Sequence, residues 1–287
     1  MTVPSYLRAF VDDAAIFPPG NAPLEQAVAD HEEHRTEEYG ELLGGFVVSD
    51  TKVADLAAAD HPPLDLNLVV TGGAGAIAPA VTWVTRAEGL SLRAVEFALR
   101  DEEDLSHNAR RLISVVDSML EELDGVVVYA EVPLNVDSPR AEPTAGWLSA
   151  LDELAAREVH LKLRTGGMSA DLFPSSWRLA NCVQAALDRE LPFKCTAGLH
   201  DAVRHRDEET GFEHHGFLNV LLATRASLDG APVDGVAEVL EQTDGTALAE
   251  RLLEDPDEAA RTRRWFESFG SCSVLDAHED LVELGLL

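Results

Sequence analysis

Lysine is almost absent from this chain. Only Lys52, Lys162 and Lys194 occur, and every other basic residue is arginine. Cysteine is also scarce. Cys182, Cys195 and Cys272 are widely spaced and odd in number, which excludes a complete disulfide framework and any CxxC metal motif and fits a reducing cytoplasm. Long apolar runs are missing too, since no stretch approaches the roughly 18 consecutive apolar residues of a membrane span. The opening segment, MTVPSYLRAFVDDAA, has neither the basic nor the long apolar region of a secretion signal. A cytoplasmic protein with no membrane partner is expected. Basic charge is outnumbered overall, with 52 Asp and Glu against 22 Lys and Arg and a formal charge of -30. A nucleic acid would have to bind against that repulsion, which excludes it as a partner. The acids are dispersed over segments such as 30–41 and 101–104, and no single face is set aside for a basic partner. Such a surface resembles those of proteins from salt-loaded cytoplasms, where salt screens self-repulsion.

What the chain does contain is apolar residues, 46% of 287, enough for the core of one α/β barrel of about 250 residues. Short apolar runs at 6–11, 46–49, 64–70, 92–99, 126–132, 159–164 and 192–197 read as strands. Between them, amphipathic segments beginning near Leu24, Thr51, Ala76, Glu102, Ala145, Ser175 and Asp201 read as helices. This alternation predicts parallel strands joined by crossover helices. An eighth strand is due after residue 200, and GFLNVLLA at 216–223 offers a short one running into a helix. Segments 233–251 and 255–269 read as helices, and the tail as a loop with a final short helix. The predicted fold is a (β/α)8 TIM-type barrel with a C-terminal helical extension. Residues 1–232 would form the barrel, and 233–287 its last helix plus the extension, in one domain. A doubly wound dinucleotide fold would want GxGxxG after the first strand, where DDAAIFPPG stands instead. TGGAG at 71–75 lacks the full glycine spacing and reads as a turn.

Alternation of side chains across a strand sorts each strand into an inner and an outer face. In VHLKLRTGG, Leu161 and Leu163 form the apolar outer row and leave His160, Lys162 and Arg164 inside. In PFKCTAG, Lys194 and Thr196 point inward, and in LRAVEFAL, Glu96 does. In VVVYAEVP, Tyr129 and Glu131 share the remaining face. Four consecutive strands thus aim Glu96, Glu131, Lys162, Arg164 and Lys194 at one interior. One reading is a structural lattice of buried ion pairs, since buried charges are costly unless paired. The other is an active site, which such barrels build at the C-terminal ends of their strands. Lysine usage favours the second. Arginine serves an ion pair at least as well, whereas only lysine can lose its proton and attack a carbonyl. A chain that nearly abandons lysine keeps two of three on adjacent inner faces.

Strand six, LKLRTGG, and strand seven, PFKCTAGLHD, resemble the paired lysine strands of class I (Schiff-base) aldolases related to deoxyribose-phosphate aldolase. The resemblance covers about 110 residues, from Leu92 to Leu199. It implies that Lys162 is the Schiff-base lysine and that Lys194 keeps its neighbour's amine neutral. Glu96 would stand in for the family's strand-four aspartate, and Glu131 for an inward acid on strand five. Departures are also present. The family's strand eight carries a serine-containing phosphate loop, where HHGFLN offers Gly216 and Asn219. Leu163 and Arg164 replace small polar residues.

Arg164 with the amides of Gly166 and Gly167 suggests an anionic or phosphorylated small-molecule substrate. Thr196, Gly198, His200 and Asn219 complete the binding set. Asp12 or Asp13, ahead of a stiff FPPG segment, would form a lip over the site or simply launch the first helix. His200, Asp201, His205, His214 and His215 lie close together, but no HxH or HExxH spacing appears. They read as a polar loop over the barrel mouth, with no metal and no cofactor called for. The expected function is a carbon–carbon lyase acting through a lysine Schiff base. Its rivals are a Schiff-base-free or metal-assisted isomerase or decarboxylase, and a non-catalytic barrel that binds an acidic metabolite. A homo-oligomer is compatible with all of them.

Overall fold

The computed structural model describes residues 2–100, 103–134, 140 and 142–287. Eight parallel strands close into one barrel: β1 (Val11–Asp13), β2 (Leu43–Ser49), β3 (Leu64–Val70), β4 (Leu90–Ala98), β5 (Val127–Glu131), β6 (His160–Arg164), β7 (Phe193–Thr196) and β8 (Phe266–Ser271). Each strand pairs with its sequence neighbours, and β1 closes the ring against β8, with Val11 opposite Phe269 and Asp13 opposite Ser271. This is the (β/α)8 architecture expected from the alternation. The helices after the first six strands are α1 (Leu24–Thr36), α2 (Val53–Ala58), α3 (Ile77–Arg86), α4 (Leu105–Asp117), α5 (Ala145–Ala155) and α6 (Ser176–Leu187). Side chains cap several of them: Asp104 accepts from the His107 amide, Thr144 from Trp147 and Ser175 from Arg178. The start expected near Glu102 lies outside the described residues.

The largest departure concerns strand eight. Residues 216–223 are not strand; they open α7 (Phe217–Leu228), which is buried almost all round. A fully buried helix has no polar stripe, so its periodicity is erased and it reads like a core strand. The eighth strand lies fifty residues later, beginning within the segment read as helix and running past its end into the segment read as loop. Its register against β7 slips between Phe266 and Phe269, so Phe266 and Phe269 both face the helices while Glu267 and Ser268 sit between them. Strict alternation is lost there, and the strand signal with it. The additional helices α8 (Val233–Leu240), α9 (Gly245–Glu254) and α10 (Pro256–Thr262) therefore lie in the β7–β8 connection. Helix α11 (Val274–Glu283) follows β8 at the C-terminus.

Two smaller corrections apply. The first strand begins at Val11, after a 3-10 turn at Ser5–Leu7, not at Tyr6. No helix starts at Asp201; that loop forms a short antiparallel ribbon pairing His205 with His214. Among the described residues, no helix is long and apolar enough to cross a membrane.

Candidate active site

Parallel register sets the inner charges at neighbouring heights. Lys162 lies opposite Lys194 and also opposite Glu131, while Glu96 lies opposite Tyr129. Leu161, Leu163, Phe193 and Cys195 are fully buried on the helix side. The inward set read from alternation is therefore the set found in the barrel.

These side chains form one alternating chain of charge. Asp12 Oδ2 accepts from Lys194 Nζ at 2.6 Å, and Lys194 also donates to Glu96 Oε1 at 2.6 Å. The other Glu96 oxygen meets Lys162 Nζ at 2.7 Å. Lys162 lies 3.3 Å from Glu131 Oε2, and Glu131 Oε1 accepts from Arg164 Nε at 2.7 Å. Three carboxylates and three cations thus neutralise each other from the middle of the barrel to its C-terminal mouth. Burial alone would raise the Glu96 carboxyl, but the two ammonium groups outweigh it and hold it at about 2. Burial would likewise lower Lys194, yet Asp12 and Glu96 reverse that and raise it above the ordinary lysine range. Glu131 is also lowered, because Lys162 and Arg164 outweigh its burial. The expected effect of Lys194 on its neighbour is altered by this geometry. A carboxylate binds both amines, so each finds a counter-charge in Glu96.

Accessibility separates the two lysines. Lys194 is sealed at 1% exposure, with the Tyr129 ring 5.3 Å from its Nζ. Lys162 lies on the side of the chain that leads out through Glu131 to Arg164, whose side chain is 38% exposed. Above them, the loops after β6 and β7 touch backbone to backbone. A Cβ on Gly166 would stand 2.7 Å from Gly198 Cα, and Gly198 has φ +71°, so both positions require glycine. Thr165 fastens the two loops by donating from Oγ1 to the Ala197 carbonyl at 2.6 Å. The amides of Gly166, Gly167 and Gly198 donate to no other described residue, and Thr196 lines the same opening.

Other residues expected at the site do different work. Asp12 forms no lip; it lies inside the barrel, where its carboxylate also takes the Gly45 amide at 3.0 Å and the Ser268 hydroxyl at 2.6 Å. Asp13 points the opposite way and pairs with buried His31 on α1 at 2.8 Å, because adjacent strand residues cannot share a face. Asn219 is removed from the substrate-binding set. It is buried on α7, accepts from the Arg204 amide, and donates to the Val239 and Gln242 carbonyls, so its amide is fully engaged in holding helices. His215 is a second internal tie. Its Nε2 donates to the Pro174 carbonyl at 2.8 Å while Nδ1 faces Arg204, and burial with that guanidinium lowers it to about 4. His200 stays near the mouth, with Nδ1 3.2 Å from Ser271 Oγ and 3.5 Å from Cys272 Sγ. Burial lowers His200 and raises the Cys272 thiol, so both are neutral partners at pH 7. His205 contacts Asp201 at 3.3 Å. Among the described residues, no group of three or more His, Cys, Asp or Glu side chains is arranged to hold a metal ion.

The readings from sequence missed Ser268, Glu267, Ser271 and Cys272, all on or beside β8. The FESFGSCS segment was available as a signal, but only to a reading that placed the eighth strand there. The TGGAG turn is closed to anions, since Asp50 already accepts from Thr71 Oγ1 at 2.7 Å and from the Gly72 amide at 3.1 Å. No protein-family model matches the chain, and no curated protein is found to be similar to it.

Proposed function

We propose that this barrel is a carbon–carbon lyase of aldolase type, acting on a small anionic carbonyl compound through a Schiff base on Lys162. The observation that carries the reading is the Lys162–Glu96–Lys194 bridge, its two lysines on adjacent strands, in a chain with only three lysines. A carbonyl compound entering from the C-terminal mouth would meet Lys162 before Lys194. Lys162 passes a proton to Glu131, and the neutral amine adds to the carbonyl carbon. Glu131 returns that proton to the carbinolamine hydroxyl, which leaves as water and gives the iminium. Glu131 then takes the proton of the β-hydroxyl, the bond between the α and β carbons breaks, and an aldehyde departs. The electron pair passes to the iminium nitrogen as an enamine that is later protonated and hydrolysed. Glu131 suits the proton shuttle better than Glu96, because it touches one lysine and faces the opening. Glu96, held ionised between two ammonium groups, keeps Lys194 charged and Lys162 in place. The free N–H groups of Arg164 and the amides of Gly166 and Gly167 are placed to take an anionic group.

A second reading rests on the completeness of the pairing. With three acids matched to three bases, the same chain serves as an electrostatic clamp in a Schiff-base-free isomerase or decarboxylase, or as a lattice in a metabolite-binding barrel. Borohydride reduction with a panel of aldehydes and keto acids, read by intact-mass spectrometry, separates the two. The lyase reading predicts a covalent adduct on Lys162, absent in Lys162→Arg and weakened in Lys194→Arg. Absence of any adduct on the wild-type protein favours the clamp, and an adduct on Lys194 alone reverses the assignment of the lysines.

A further inference from the structure

At the opposite end of the barrel from Arg164 lies a cavity of about 250 Å³, opening between the N-terminal ends of β3, β4, β5 and β8. It has room for several waters at about 30 Å³ each, or for one small metabolite, and falls just below the ~300 Å³ typical of drug-sized sites. Its wall contains a polar group without a partner. Asn67 is 2% exposed, its side-chain amide makes no hydrogen bond with any described residue, and its Oδ1 is buried and unsatisfied. An unpaired buried amide costs about 1–3 kcal/mol, so its retention calls for an explanation. Gly45 makes the space for it, since a Cβ there would stand 2.5 Å from Asn67 Oδ1.

The charges on the wall are unequally matched. Glu267 takes the Tyr129 hydroxyl at 2.9 Å and His160 Nδ1 at 2.7 Å. Asp12 is held by Lys194, Ser268 and Gly45. Arg263 turns its N–H groups onto backbone carbonyls of Tyr6, Phe266 and Glu267, leaving its charge beside the cavity. Arg93, the extra residue where the β3–β4 register shifts, reaches the rim and forms no ion pair with a described residue. Asp12 and Glu267 face Arg263 across the wall, whereas Arg93 stands exposed at the rim with no acid of the wall paired to it, so it is the rim that attracts an anion.

We infer that this N-terminal cavity is a binding site for a small organic carboxylate that carries a hydrogen-bonding group at its other end. The carboxylate would sit at Arg93 and the second group at Asn67. This inference does not depend on the Schiff-base reading, which concerns the other mouth. Asp12 links the two ends, because it lines the cavity and bonds Lys194. Isothermal titration of the full chain with succinate, malate, 2-oxoglutarate and inorganic phosphate tests it. Succinate or malate, which offer Lys162 no carbonyl carbon of a ketone or aldehyde, should bind, with affinity at least tenfold weaker in Arg93→Met and in Asn67→Leu. Circular dichroism of each variant checks that it is folded. No binding by succinate or malate overturns the inference. So does binding lost in Arg164→Met but kept in the other two, which would place the anion at the C-terminal mouth.

Discussion

From the middle of the barrel to its C-terminal mouth, six charged side chains neutralise one another in sequence. At the N-terminal end, a buried amide faces a cavity with no partner among the described residues, and an exposed guanidinium stands unpaired at its rim. Both regions bury polar groups in the same barrel, and the difference lies in what satisfies them. The upper set is internally complete, so removing any member leaves a buried charge exposed to its neighbours. The lower set is incomplete, so removing a member takes away a cost as well as a contact. Stability should therefore respond strongly at one end and weakly at the other.

The largest effect is expected at the centre of the chain. Glu96→Leu leaves two buried ammonium groups without the carboxylate between them, and should lower unfolding free energy by about 3–5 kcal/mol in urea titrations. Acid should act on the same bond. Glu96 is depressed from 4.5 to about 2, so its contribution is complete above pH 4.5 and is lost as pH falls towards 2. His215 is depressed from 6.5 to about 4, so its share is lost earlier, between pH 6.5 and 4. Thermal melts should show a two-stage decline across those windows, and His215→Gln should shrink the first stage, leaving the part that His200 and the other partly buried histidines contribute. Glu131→Gln should cost less, about 1–3 kcal/mol, because Lys162 keeps Glu96 and Arg164 is partly in water. The smallest effect is expected at the other end, where Asn67→Leu should leave stability within about 1 kcal/mol of wild type, or raise it. A loss at Asn67 as large as that at Glu96 would abolish the contrast between the two ends.

How far the sequence shows this arrangement depends on regularity. From Ala94 in β4 through β7 the outer row is apolar without interruption, so alternation alone assigns Glu96, Glu131, Lys162, Arg164 and Lys194 to the interior. In β1 only three residues are extended, and two adjacent aspartates leave open which one points in. In β8 the register slip puts Glu267 and Ser268 side by side, and the arginine-rich run before it reads as helix. The partner of each charge was out of reach for a different reason. Asp12 and Lys194 are 182 residues apart, and only closure of the barrel brings them together. Asn219 illustrates the opposite error. A buried amide in the apolar first half of a helix looks the same in sequence whether it ties helix ends or contacts a ligand.

Glu96 couples both lysines into one chain of charge. Because the protein has only three lysines, selective labelling of lysine side chains yields three amine signals in NMR spectra. A pH titration of the Lys194 signal, in wild type and in Glu96→Gln, is the direct measurement. Lys194 should stay protonated beyond the ordinary value of 10.5 in the wild type and titrate at lower pH in the variant. A wild-type Lys194 that titrates at or below 10.5, or one unmoved by Glu96→Gln, would contradict that coupling.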